Sequence, residues 1–294
     1  MIFESWKETG QYFQYKNYPI FYQDSKVGEK VLLCIHGFPT ASWDWYRLWP
    51  ELTKGFRVVT LDMIGFGLSA KPKDYNYSIL DQANLCESFL KHLNISSFHI
   101  LAHDYGDTVA QELLARHEEQ QMNQVKDLDI LSICLLNGGL FPEAHKARPI
   151  QKLLNSPVGP IISRLFNESA FNKSFSAVFG KETKPGAEEL SEFWQLIDHE
   201  KGQYISHKII RYINERKQYR ERWVMPLQQT SVPIRLINGV DDPISGIHMA
   251  ERYIEIIPNP DVVLLENVAH YPQVEAPERV FSAFTEFHND QKLK

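Results

Sequence analysis

The chain has 294 residues, 43% of them hydrophobic and 23% charged, with a formal net charge of −6. That content suffices for one large α/β core plus a smaller helical unit. The acidic balance argues against nucleic acid as a partner, the 11 histidines show no metal-ligand spacing, and no apolar run reaches the roughly 18 residues of a membrane span. No cofactor is expected. Three cysteines, Cys34, Cys86 and Cys134, sit in apolar surroundings, an odd number that favours reduced core thiols. The N-terminal Met1-Ile2-Phe3-Glu4-Ser5-Trp6 lacks a basic start followed by an apolar segment, so a cytoplasmic enzyme with a small-molecule substrate is the expectation.

In chain order, 11–23 alternates aromatic and polar residues around Lys16-Asn17, which predicts an antiparallel hairpin at a sheet edge. Buried parallel-type strands are predicted at 31–35, 56–61, 98–101, 131–136, 234–237 and 262–265. Helical segments alternate with them, notably 78–93, so the fold class is α/β with a mostly parallel, doubly wound sheet. Between Asn137 and Pro233 the strand signal gives way to helices broken by Pro and Gly. This stretch is predicted to be an inserted cap, 141–228, on a core of 1–140 and 229–294. A single helix is predicted over 204–217, with Ile205, Ile209, Tyr212 and Ile213 inward and Lys208, Arg211 and Arg216 outward. Arg216, Lys217, Arg220 and Arg222, interspersed with Glu215 and Glu221, read as a solvated face.

Chemistry concentrates at the ends of the predicted strands. The run 98–101 ends in Ala102-His103-Asp104-Tyr105-Gly106, a carboxylate with small residues two positions either side, followed by a helical segment. That is the pattern of a nucleophile elbow with Asp104 at its tip. A carboxylate there attacks a saturated carbon and forms an alkyl ester; taken alone, Asp104 could equally be a helix cap. The remainder of a triad follows in order. Asp242 lies three residues beyond Gly239, and His270 lies on the loop after the next strand, which makes them the candidate acid and base. Upstream, 30–35 runs into His36-Gly37-Phe38-Pro39, where Gly37 lets the backbone turn so that the N–H groups of Phe38 and Tyr105 can face an oxyanion. His36 is expected at the pocket floor as a structural hydrogen bonder, and Trp43 is a candidate for lining a ligand pocket.

Five segments carry a resemblance: 36–45 (HGFPTASWDW), 62–72 (DMIGFGLSAKP), 103–114 (HDYGDTVAQELL), 137–142 (NGGLFP) and 212–217 (YINERK). With them the chain resembles α/β-hydrolases of the epoxide hydrolase and haloalkane dehalogenase group, from about Val31 to Pro277. The resemblance implies an aspartate nucleophile, a His–acid pair that activates water, and a helical cap. Related epoxide hydrolases assist the leaving oxygen with two cap tyrosines. Here the cap offers Tyr204, Tyr212 and Tyr219, of which Tyr212 is the choice, while Phe171 to Phe179 holds no tyrosine. Dehalogenases hold the halide with indole N–H groups or an Asn, and this chain has Phe38 and Tyr105 at two of the usual places, which favours the epoxide. Asp107 is expected to be a first-turn anion favoured by the helix dipole. A non-catalytic binding protein on the same scaffold is the reading from another class.

Overall fold

The computed structural model describes residues 2–124 and 127–290. Met1 and 291–294, parts of the expected N-terminal start and core, lie outside the described residues. The predicted hairpin forms as β1 (Gln11–Tyr15) and β2 (Tyr18–Asp24), paired antiparallel. Lys16 and Asn17 both take positive φ, 49° and 67°, the geometry of a two-residue turn whose twist matches the strands.

Six further strands follow: β3 (Val31–Ile35), β4 (Arg57–Leu61), β5 (Ser97–His103), β6 (Asp129–Leu136), β7 (Ile234–Gly239) and β8 (Asp261–Leu265). They assemble in the order β1-β2-β4-β3-β5-β6-β7-β8, antiparallel only where β1 meets β2 and β2 meets β4. Successive residues of a strand face opposite sides of the sheet. In β3, Leu33 and Ile35 join one apolar core while Leu32 and Cys34 join another; in β6, Ile133 and Leu135 face the first and Cys134 and Leu136 the second. Both faces are therefore covered, which is why these strands read as continuous apolar runs.

The helix Ile79–His92 begins at Ser78, whose hydroxyl accepts from the Asp81 N–H at 3.2 Å. Between β6 and β7 lie helices from Pro149–Leu154 to Arg220–Gln229. The last of these, which crosses the predicted boundary of the cap at 228, packs along the helix Tyr105–Met122, with Arg222 and Trp223 bonded to Glu112. The single helix predicted over 204–217 does not form. A 3-10 segment (His199–Ile205) is followed by two short helices, Ser206–Ile209 and Tyr212–Gln218. Glu200 and Lys201 take positive φ, 50° and 57°, which breaks the helical path ahead of the two short helices.

Candidate active site

Asp104 sits between β5 and the helix Tyr105–Met122 with φ 47° and ψ −100°, a strained backbone held because its N–H donates to the Leu136 carbonyl at 3.1 Å. A Cβ on Gly106 would lie 2.2 Å from the Ile35 carbonyl oxygen, so the elbow's close approach to β3 requires glycine. The Asp104 carboxylate is buried. Its Oδ2 accepts from the Phe38 N–H at 3.2 Å and lies 4.0 Å from His270 Nε2.

His270 Nδ1 is 2.8 Å from Asp242 Oδ2. Asp242 also accepts from Asn137 Nδ2 (3.0 Å), Ser245 Oγ (2.9 Å) and the Ile244 N–H (2.7 Å). Burial alone would raise this carboxyl, but the His270 cation and these donors hold it below the usual carboxylate range. His270 shows the mirror effect: burial pulls it down, and the Asp242 and Asp104 charges outweigh that and push it up to about 9. The backbone of His270 is pinned as well, its N–H by the Val178 carbonyl (3.1 Å) and its C=O by His103 Nε2 (2.7 Å). Asp44, from the Ser-Trp-Asp-Trp segment, accepts from the Gly37 N–H and the Thr40 hydroxyl and so fixes the loop that aims Phe38.

An apolar cavity of about 430 Å³ opens onto this group, lined by Phe38, Phe171, Phe175, Val178, Ile244 and His270 among others. Residues 30–277 match the family described as alpha/beta hydrolase fold. The chain belongs to that family. It is 42% identical to the mesoderm-specific transcript homolog protein of Bos taurus, over 97% of this chain and 87% of the relative. It is 34% identical to the putative hydrolase LipZ of Mycobacterium tuberculosis over 93% of each. The solved structure of a haloalkane dehalogenase loop variant from Bradyrhizobium elkanii has a TM-score of 0.79 at 17% identity, covering 97% of this chain and 98% of that one. The fold is that of a hydrolase.

Within this hydrolase the structure brings Asp104, Asp242, His270, Phe38 and Tyr105 together and corrects four other expectations. His36 does not reach the pocket: it is fully buried, its Nδ1 bonds the Gly37 carbonyl, and its Nε2 accepts from the Met63 N–H. It shapes the loop. Trp43 packs against Phe3, Trp6 and Tyr46 in the second core, with its indole N–H on Glu192, away from the cavity. Asp107 is wholly buried, and that burial and the Asp104 charge push its carboxyl well above the usual range, which disfavours the expected first-turn anion.

Arg216 is the largest departure. It is 2% exposed rather than solvated; Nη2 donates to the Asp104 carbonyl at 3.0 Å and lies 3.6 Å from Oδ1, and Nε donates to Thr108 at 2.8 Å. The Asn137-Gly-Gly segment makes room for this. Asn137 holds Asp242, while a Cβ at Gly138 would lie 2.1 Å from Asp107 Oδ2 and one at Gly139 2.1 Å from Arg216 Nη1. The signal for Arg216 was present, since it lies four residues after Tyr212 on the same helical face. Tyr212 packs edge-on against Tyr105, 4.8 Å between ring centroids, and beneath the guanidinium at 4.6 Å. Its hydroxyl is buried with no partner among the described residues. Tyr204 and Tyr219 lie elsewhere, Tyr219 against Trp223.

Proposed function

We propose that this hydrolase opens a small apolar epoxide through an ester on Asp104. The supporting observation is a carboxylate, not a hydroxyl, at the tip of the elbow, with His270 4.0 Å away and Phe38 N–H on its Oδ2. Phe38 occupies Oδ2, and Oδ1, which lies 3.6 Å from Arg216 Nη2, is the oxygen for backside attack. An acyl substrate would give a mixed anhydride, so a saturated carbon suits this nucleophile.

In the first step Oδ1 bonds to an epoxide carbon, the C–O bond breaks, and the departing oxygen takes a proton from Tyr212. The cation of Arg216 over the ring favours the phenolate that results. Water then attacks the ester carbonyl while His270 takes its proton, and the oxyanion faces the N–H groups of Phe38 and Tyr105. Before water attacks, ester formation removes the Asp104 charge, one of the causes of the high His270 pKa, so the resting imidazolium gives its proton to the Tyr212 phenolate and becomes a neutral base. On collapse the new carboxylic proton leaves with the diol oxygen, and the imidazolium that remains on His270 is its resting form. One water is consumed. Residues 141–228 serve as the cap over a core of 1–140 and 229–294. The buried free thiols Cys34, Cys86 and Cys134 support a reducing compartment, the cytoplasm.

A haloalkane is the second reading, favoured by the 24% identity to haloalkane dehalogenase 2 of Mycobacterium bovis over 91% of this chain. Single turnover in heavy-oxygen water separates these chemistries from direct hydration. Label is expected in the Asp104 carboxylate; label in the diol alone overturns the covalent route. Absence of both adduct and turnover across epoxides and haloalkanes favours a binding protein.

A further inference from the structure

A second cavity, of about 360 Å³, lies beside Arg216 and shares no lining residue with the apolar one. Its charged and titratable lining is Lys146, Lys152, Lys217, Arg216 and His145, with no carboxylate. The three lysines are exposed, and their ammonium groups form no ion pair with any described residue. Arg216 presents two edges. One is satisfied by Asp104 and Thr108; on the other, Nη1 is buried without a partner. Both ring nitrogens of His145 are likewise buried and unpaired. The two groups are neighbours, because a Cβ at Gly139 would meet Arg216 Nη1 at 2.1 Å and His145 Nδ1 at 3.0 Å. Buried polar atoms without partners are rare in native proteins and call for an explanation.

We propose that this cavity binds a small polyanion, a molecule carrying two or more phosphate or carboxylate groups. One group takes the free edge of Arg216 together with His145, and the others sit among Lys146, Lys152 and Lys217. Guanidinium and ammonium groups around a concave site match the geometry of such oxyanions. Its volume falls within the range of small-molecule pockets. His145, held down to about 3 by burial and the Arg216 charge, meets the anion as a neutral N–H donor. The proposal stands apart from the assignment of Asp104 as nucleophile, since it concerns the edge of Arg216 turned away from it.

Calorimetric titration of the full chain tests it without turnover. Pyrophosphate and citrate are the two probes, and the tighter one identifies phosphate or carboxylate as the preferred group. At least one is expected to bind saturably, one to one, with affinity falling as salt rises. The double variant Lys152→Ala/Lys217→Ala should weaken binding about tenfold or more. Lys91→Ala, whose side chain pairs with Asp127 elsewhere, should leave it unchanged. Lack of saturable binding by either probe, or equal affinity in the double variant, overturns the site.

Discussion

The two sides of Asp104 are built to different rules. Toward His270 the acid is fully satisfied and the base is pinned: Asp242 takes four donors, and the His270 backbone is held at both its N–H and its C=O. Toward the helix Tyr212–Gln218, the Tyr212 hydroxyl, Arg216 Nη1 and one oxygen of Asp107 are buried with no partner among the described residues. A satisfied network fixes one geometry permanently, whereas an unsatisfied one stores cost that a proton, a substrate or a ligand can relieve. The first side orients; the second waits.

If the satisfied side carries the chemistry, His270→Gln should give the largest effect. Turnover should fall by about 10²- to 10⁴-fold, and a covalent adduct should accumulate on Asp104, seen by intact mass and peptide mapping. Loss of activity without an adduct from any epoxide or haloalkane would erase the contrast. Asp242→Asn comes next, with a loss on the order of 10²-fold in kcat and the fold retained. Unchanged turnover would move the acid role to another carboxylate, and the neighbouring Asp241 is exposed.

The unsatisfied side should register first in stability. Arg216→Met leaves the buried Asp104 carboxylate without its counter-charge, for a loss of about 3 kcal/mol in urea unfolding, typical of a broken buried pair. A loss near zero would show that the pair only balances its own desolvation. Tyr212→Phe should slow epoxide opening about tenfold and leave the opening of an alkyl halide unchanged. Its stability should hold or rise, because the hydroxyl it removes is unpaired. Equal slowing on both substrates would reduce Tyr212 to packing.

The smallest effect is a pH dependence. The folded His270 pKa, about 9, lies above its ordinary 6.5, so its ion pairing stabilises the native state fully below pH 6.5. That contribution fades as pH rises toward 9 and is gone above it. The melting-temperature gap between wild type and His270→Gln should therefore shrink by a few degrees across that window. A constant gap would mean that the imidazole is not charged in the resting protein.

The contrast also explains what the sequence disclosed. Continuous apolar runs at β3 and β5 to β8 read as buried strands, and loops at one end of the sheet follow from the fold, so the convergence of Asp104, Asp242 and His270 was legible. Arg216 was not, although its spacing from Tyr212 was correct. A charged residue is ordinarily exposed, and only three-dimensional placement shows that Asp104 and the gap beside Gly139 receive it. Asn137 was visible as a motif without a role, because its partners Gly239 and Asp242 lie about a hundred positions away across the insertion. Trp43 misled for the opposite reason, since aromatic bulk suits a pocket wall and a core equally.

The stitches from the insertion to the centre, Val178 to His270 and Arg216 to Asp104, bear on assembly. Residues far apart in the chain must dock before Asp104 or His270 acquires its final surroundings. The centre is therefore complete only when the segment between β6 and β7 is docked on the sheet. A proteolytic nick between 178 and 216 should disturb the centre without touching Asp104, Asp242 or His270, and transplanting the sheet with another connection between β6 and β7 would carry Asp104 but not its setting.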